Sequence, residues 1–282
     1  MYSMYNALEI KGLSKEYKDF RLDNVSFEVP SGSIVGLIGE NGSGKTTIIK
    51  LILNMIKKNG GEVTVLGKNK GISDIKNEIG VVMDEPGFPG FLNAKEINRI
   101  MKNIFSNWSD DTFFGYLKKL KVPDNKEYKD MSKGTKMKTG IAVALSHNPR
   151  LLILDEATNG LDPVVRSEVN EIFTEFTRDE SHSILISSHI VSDLDRICDY
   201  IVFIHNGRLM LFEEKDRMYE HYVVIHCTEK ELADIRPEAV IGKKVGTFGV
   251  EAIILKDAVP KGIQPYPVDI EKLFVFMVKE NT

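Results

Sequence analysis

The sequence predicts an α/β protein with a largely parallel sheet and a site at the strand ends. Three observations predict it. Residues 39 to 47 read Gly-Glu-Asn-Gly-Ser-Gly-Lys-Thr-Thr, a full Gly-x4-Gly-Lys-Thr loop. The apolar run Ser33 to Ile38 precedes this loop, and apolar residues at helical spacing follow it. Further apolar strand-like runs recur downstream between helical stretches, as in strand–helix–strand units.

The elements follow in order. Ala7 to Ile10 and Val25 to Val29 read as strands, then Ser33 to Ile38. The loop comes next. Its glycines, Gly39, Gly42 and Gly44, let the backbone curl so that amide groups point inward at a phosphate chain. Asn41, Gly42, Ser43, Gly44 and Thr47 belong to this cradle, Lys45 is expected to reach the β- and γ-phosphates, and the Thr46 hydroxyl to bind Mg²⁺. The helix expected over Thr47 to Ile56 puts a helix N-terminus behind the phosphates. Glu62 to Leu66 and Ile79 to Met83 add strands. Helices are expected over 94–106, 110–121 and 135–147, with Pro86, Pro89 and Pro123 as breakers. Leu151 to Leu154 is a continuous apolar strand ending in Asp155-Glu156; Ile184 to Ser187 and Ile201 to Ile204 are two more. The nucleotide core therefore spans 1–218, with a helical insert at about 85–148. Residues 219–282 form a small C-terminal accessory domain, with strands at 222–227 and 248–255 and an amphipathic helix at 268–279.

Bulk composition narrows the function classes. The chain has 282 residues, 42% of them hydrophobic, enough for a sizeable core. Thirty-seven Lys and Arg against 41 Asp and Glu give a net charge of −4, which argues against a general nucleic-acid-binding surface. No apolar stretch reaches the roughly 18 residues a membrane span needs. No secretory leader is visible, and Cys198 and Cys227 sit in no metal-type pair, so both are expected as reduced thiols of a cytosolic protein. The Asn-x-Ser sequons at Asn24, Asn41 and Asn107 are expected to be chance.

A second constellation decides the class. An aspartate closing a buried strand, here Asp155, holds Mg²⁺ opposite the loop threonine in phosphate-loop enzymes, and the glutamate after it, Glu156, can take a proton from an attacking water. Upstream lies Met131-Ser132-Lys133-Gly134-Thr135; downstream lie Asn159-Gly160-Leu161-Asp162 and Ser187-Ser188-His189. With these five ordered motifs the chain resembles the nucleotide-binding subunit of ABC (ATP-binding cassette) transporters over roughly residues 5 to 215. The resemblance implies an ABC-type cassette of the P-loop NTPases: an antiparallel β subdomain, a RecA-like core and a helical insert, here followed by a small α+β extension. It implies ATP and Mg²⁺ as cofactors. It also implies roles. Tyr17 stacks on adenine. Asp155 binds Mg²⁺, Glu156 acts as general base, and His189 contacts the γ-phosphate. Ser132 and Gly134 meet the γ-phosphate held by the other protomer, and Asp162 couples the two sites.

Four positions depart from the family pattern, Asp84, Lys133, Thr135 and Ala157, the last standing where a proline is common. Asp84 stands where a glutamine is usual; its charge implies tighter metal contact and altered hydrolysis, or reduced activity. Lys133 replaces the first signature glycine and either adds a positive charge near the other protomer's phosphate or is solvated. Thr135 replaces the usual glutamine. These strings, with Ala144 to Pro149, are similar to cassettes of Gram-positive exporters of antimicrobial or toxic peptides.

The resemblance implies partners as well: transmembrane permease subunits, and a second ATP-binding subunit paired head to tail as a homodimer or heterodimer. It places the chain in the cytoplasm, peripheral on the inner face of the cell membrane. Phe88 and Phe91 lie in the segment where the family docks a membrane-subunit helix; they contact that helix or pack internally. A soluble ATPase and a stress-sensing regulatory subunit that moves no cargo are the alternatives.

Overall fold

The computed structural model describes residues 6–68, 75–84, 87–247 and 249–280. Residues 85 and 86, the expected start of the helical insert, lie outside the described residues, as does Phe248 at the start of an expected strand.

Strands β1 (Leu8–Glu16) and β2 (Arg21–Val29) form an antiparallel hairpin. Then come β3 (Ile34–Ile38), α1 (Lys45–Ile52) and β4 (Gly60–Val65). The first sheet has the order β2-β1-β4. Buried and exposed residues alternate along β2, as expected for a sheet with one face on a core.

The insert follows β5 (Ile79–Val82): α2 (Ala94–Ile104), α3 (Asp110–Lys119) and α4 (Lys133–Leu145). Each helix starts at a polar cap. Asn93 and Glu96 make a capping box for α2, Ser109 caps α3 and Ser132 caps α4. The core then resumes with β6 (Leu151–Asp155), α5 (Pro163–Phe176), β7 (Ser183–Ser188), α6 (Val191–Ile197), β8 (Tyr200–His205) and β9 (Arg208–Glu214). The central sheet runs β5-β6-β7-β3-β8-β9, parallel except for β9. All five residues of β3 and of β6 are buried, because both sheet faces are covered; hence their unbroken apolar sequences.

The remainder comprises α7 (Lys215–His221), β10 (Tyr222–Cys227), α8 (Glu229–Ala233), β11 (Val240–Gly246), β12 (Gly249–Leu255), β13 (Tyr266–Pro267) and α9 (Ile270–Glu280). Its sheet, β11-β12-β10-β13, joins neither of the others. One face covers a small cluster of its own around Ile225, Ala252 and Ile254. The other face and α9 share the largest buried cluster with the nucleotide core, where Phe274 meets Phe203 edge-on at 5.2 Å. Both cysteines are free and buried, and burial pushes the Cys198 thiol up.

Most expected helix limits shift by one to four residues, and two of these shifts have a clear local reason. Helix α1 stops at Ile52, four residues before Ile56. Asn54 takes the left-handed conformation at φ 54°. The Asn54 amide then donates to Leu51 O and the Met55 amide to Lys50 O, the closing bonds of a Schellman turn. Helix α4 starts at Lys133, two residues before Thr135, because the Ser132 hydroxyl caps the Thr135 amide at 3.2 Å.

Candidate functional site

The glycine loop joins β3, in the middle of the sheet, to α1. Gly44 sits at the α1 N-cap with φ 115° and offers no side-chain cap, so the first amides of the helix stay open. Ser43 is 4% exposed, and its buried hydroxyl has no hydrogen-bond partner. An orphaned donor beneath a ring of open amides suits an anionic phosphate ligand. The cavity over the loop has a volume of about 800 Å³, room for a nucleotide.

Lys45 is buried. Its Nζ donates to Gly39 O at 2.7 Å and Glu40 O at 3.2 Å, and lies 3.5 Å from Glu156 Oε1. The same carboxylate reaches His189, whose Nδ1 is 2.6 Å from Oε2. Against an ionised carboxylate that ring nitrogen must donate. Glu156 itself is at φ 52°, a left-handed conformation that costs on the order of 1 kcal/mol or more for a residue with a side chain. Such strain persists only where surrounding bonds hold it. Here the Glu156 amide donates to both Ser187 O and Ser187 Oγ at 3.1 Å. Asp155, 1% exposed, accepts from Ser187 Oγ at 2.6 Å.

The expected residues divide into two groups. Tyr17, Asn41, Gly42, Gly44 and Lys45 line the cavity, as do Thr46, Thr47, Asp84, Glu156 and His189. Tyr17 is 44% exposed, with its ring 6.4 Å from Phe20 and Lys15 Nζ 5.3 Å from its centroid. Ser132, Gly134 and Asp162 do not line it, and neither do the buried Ser43 and Asp155. Within the chain Ser132 caps α4, and Asp162 caps α5 by accepting from the Val164 and Val165 amides. These two loops abut, since a Cβ on Gly134 would lie 3.4 Å from Gly160 O.

Sequence reasoning missed four cavity residues, Asp19, Phe20, Glu40 and Asn159. Phe20, three residues after Tyr17, was the one readable signal. It also missed that two of the departures meet. Lys133 Nζ lies 3.2 Å from Asp84 Oδ1, with the side chains 52% and 44% exposed. A pair this exposed contributes under about 1 kcal/mol. Lys133→Gln is therefore expected to lower the melting temperature by less than about 3 °C in a thermal scan. Among the described residues, no group of three or more His, Cys, Asp or Glu side chains is placed to hold a metal.

A phosphate-loop cradle on a parallel sheet, with a strand-end Asp-Glu pair and a histidine against the glutamate, defines a nucleotide-hydrolysing cassette. The sequence profile of the ABC transporter family matches residues 22–159. The lantibiotic transport ATP-binding protein SrtF of Streptococcus pyogenes is 36% identical over 212 residues, covering 74% of this chain and 91% of SrtF. The bacitracin transport ATP-binding protein BcrA of Bacillus licheniformis is 35% identical over 213 residues, 73% of this chain and 69% of BcrA. A solved ATP-binding subunit of an ABC transporter superposes with a TM-score of 0.68 at 28% identity, covering 75% of this chain and 91% of that one. The chain belongs to the ABC transporter family, as an ATP-binding subunit that hydrolyses ATP. The fold matches the expected α/β cassette.

Proposed function

We propose that the chain powers export of a peptide or antibiotic-like cargo through separate membrane-spanning subunits, working as one of two cassettes paired head to tail. The observation that carries the pairing is the division of the site. The phosphate loop, Glu156 and His189 share one cavity, while Ser132 and Asp162 cap α4 and α5, Gly134 lies in the first turn of α4, and none of the three lines that cavity. A second cassette, identical or different, would bring its own Ser132-type loop to this cavity. The proposed cargo follows the names of SrtF and BcrA, transport proteins for a lantibiotic and for bacitracin. No helix among the described residues is long and apolar enough to cross a membrane, in keeping with a place on the inner face through partner subunits. Residues 1–218 serve as the cassette, with the insert at about 85–148, and 219–282 as an accessory domain.

Within the cavity the chain's residues take the following roles. Tyr17 flanks the base. The loop amides and Lys45 hold the phosphates, and Lys45 neutralises charge on the leaving side. Glu156 takes a proton from the attacking water, and His189 fixes that carboxylate. A Mg²⁺ suits the oxygen donors Thr46, Asp155 and Asp84; with no cluster of metal-ligating side chains among the described residues, nucleotide oxygens would complete its shell. When bound, the metal neutralises phosphate charge. ATP favours the closed pair, and loss of the γ-phosphate lets it reopen.

The test is a pull-down from native membranes with Glu156→Gln and Mg-ATP. Recovery of a multi-span protein supports the transporter reading, and a second cassette in the same fraction identifies the pair. Recovery of soluble proteins alone rejects the transporter reading in favour of a soluble ATPase.

Phe88 and Phe91 separate in the structure. Phe88 packs edge-on against Tyr128 at 5.4 Å, whereas Phe91 is 67% exposed. Phe91→Ser is expected to reduce co-purification of membrane subunits while ATP binding and melting temperature stay at wild-type values. Phe88→Ser is expected to lower stability by about 1–3 kcal/mol. Unchanged co-purification of the Phe91 variant removes that side chain from the docking surface.

A further inference from the structure

The geometry points to Ser187 as a positioning residue that sets both the metal-binding carboxylate and the general base through one hydroxyl. The inference deepens the reading above and rests on the metal role of Asp155.

Ser187 stands at the end of β7, opposite Asp155 in the parallel ladder between β6 and β7. It is fully buried at 0% exposure, and Asp155 is almost so at 1%. A hydroxyl has one hydrogen to donate and lone pairs to accept with. Here both functions are used. The hydrogen goes to Asp155 Oδ1 at 2.6 Å, and a lone pair receives the Glu156 amide at 3.1 Å. The donated bond holds one oxygen of the buried carboxylate and so fixes the plane in which the other can meet a cation. The accepted bond clamps the peptide link between Asp155 and Glu156 to the neighbouring strand.

That link is where the chain leaves the strand. Glu156 turns to φ 52° directly after Asp155, and the turn aims its carboxylate at Lys45 and His189. An alanine at 187 keeps the backbone bond from the Glu156 amide to the residue 187 carbonyl, present at 3.1 Å. It removes the hydroxyl, and with it the bond to Asp155 and one of the two acceptors of the Glu156 amide. Carboxylates that ligate metals depend on such outer bonds for orientation.

The test uses the full chain and a fluorescent ATP analogue, titrated with and without Mg²⁺, for Ser187→Ala, Ser187→Thr, Ser187→Val and Asp155→Asn. The gain in nucleotide affinity on adding Mg²⁺ is expected to fall about 10- to 100-fold in the Ala and Val variants, with metal-free affinity retained. The Thr variant, which keeps the hydroxyl, is expected to retain the gain. Thr and Val match in shape and differ in the hydroxyl, so that pair decides the matter even where the Ala variant does not fold. An undiminished Mg²⁺ gain in Ala and Val, alongside its loss in Asp155→Asn, overturns the role of Ser187 alone. A parallel fall of metal-free affinity in Ala and Val also overturns it, since that is general damage to the site. An undiminished gain in Asp155→Asn overturns the metal reading and the role of Ser187 together.

Discussion

Glu156→Gln is expected to cut the rate of ATP hydrolysis by about 10²- to 10⁴-fold, the range that a positioned general base contributes. Glutamine keeps the volume and a hydrogen-bonding oxygen for the His189 contact, now 2.6 Å long. It cannot accept a proton from water. Nucleotide binding is expected to persist. Lys45 loses a carboxylate at 3.5 Å but keeps its bonds to Gly39 O and Glu40 O until phosphates replace them. Removing a negative charge beside the γ-phosphate site also favours bound ATP. Phosphate release at saturating ATP, measured together with nucleotide affinity on the same preparation, checks both halves. Hydrolysis above a tenth of the wild-type rate would assign the proton transfer elsewhere. Asp84 would then be the next residue to change, since it lines the same cavity.

Gly207→Ala is expected to be the costliest small substitution for stability, about 3 kcal/mol or more, from left-handed strain plus overpacking. Gly207 lies in the turn between β8 and β9 at φ 75°. A Cβ there would fall 1.9 Å from Arg21 O and 2.9 Å from the Arg21 carbonyl carbon. These are backbone atoms of β2 and cannot swing aside. The turn is bonded on both sides: the Gly207 amide donates to Ser43 O at 2.9 Å, and its carbonyl accepts from Asp23 N at 2.8 Å. A shift forced at residue 207 therefore reaches the phosphate loop, and ATP affinity is expected to fall with stability. Gly262→Ala is the matched control. It has φ 93° but no atom within 4 Å of a Cβ, so it carries the conformational cost alone, about 1 kcal/mol. Thermal unfolding should show a drop of roughly 5–10 °C for the Gly207 variant and a few degrees for the Gly262 variant. Equal drops would mean that the close approach to Arg21 is relieved at no cost.

Much of the site was legible because its chemistry is local. The phosphate loop needs contiguous residues, so Gly42, Gly44, Lys45 and Thr46 stand together in the chain. The strand Leu151–Asp155 was legible because burial on both faces demands an unbroken apolar run. Strand β9 was not, because six of its seven residues are half-buried, and no alternation marks a face. The early end of α1 was missed because apolar spacing continues to Ile56, while Asn54 closes the helix through its backbone conformation.

The sequence by itself determined the α/β class, the phosphate loop, the order of the motifs and the types of residue that handle phosphate. Each of these is written in neighbouring residues, whose spacing is set by strand and helix periods. Only the tertiary structure decided which of those residues share a cavity. It brought Ser187 to Asp155 across 32 positions, Lys133 to Asp84 across 49, and the turn at Gly207 onto both β2 and the phosphate loop. The physical reason is that hydrogen bonds and steric contacts act through space within a few ångströms. Strand order and loop docking, which no local period encodes, decide which residues come that close.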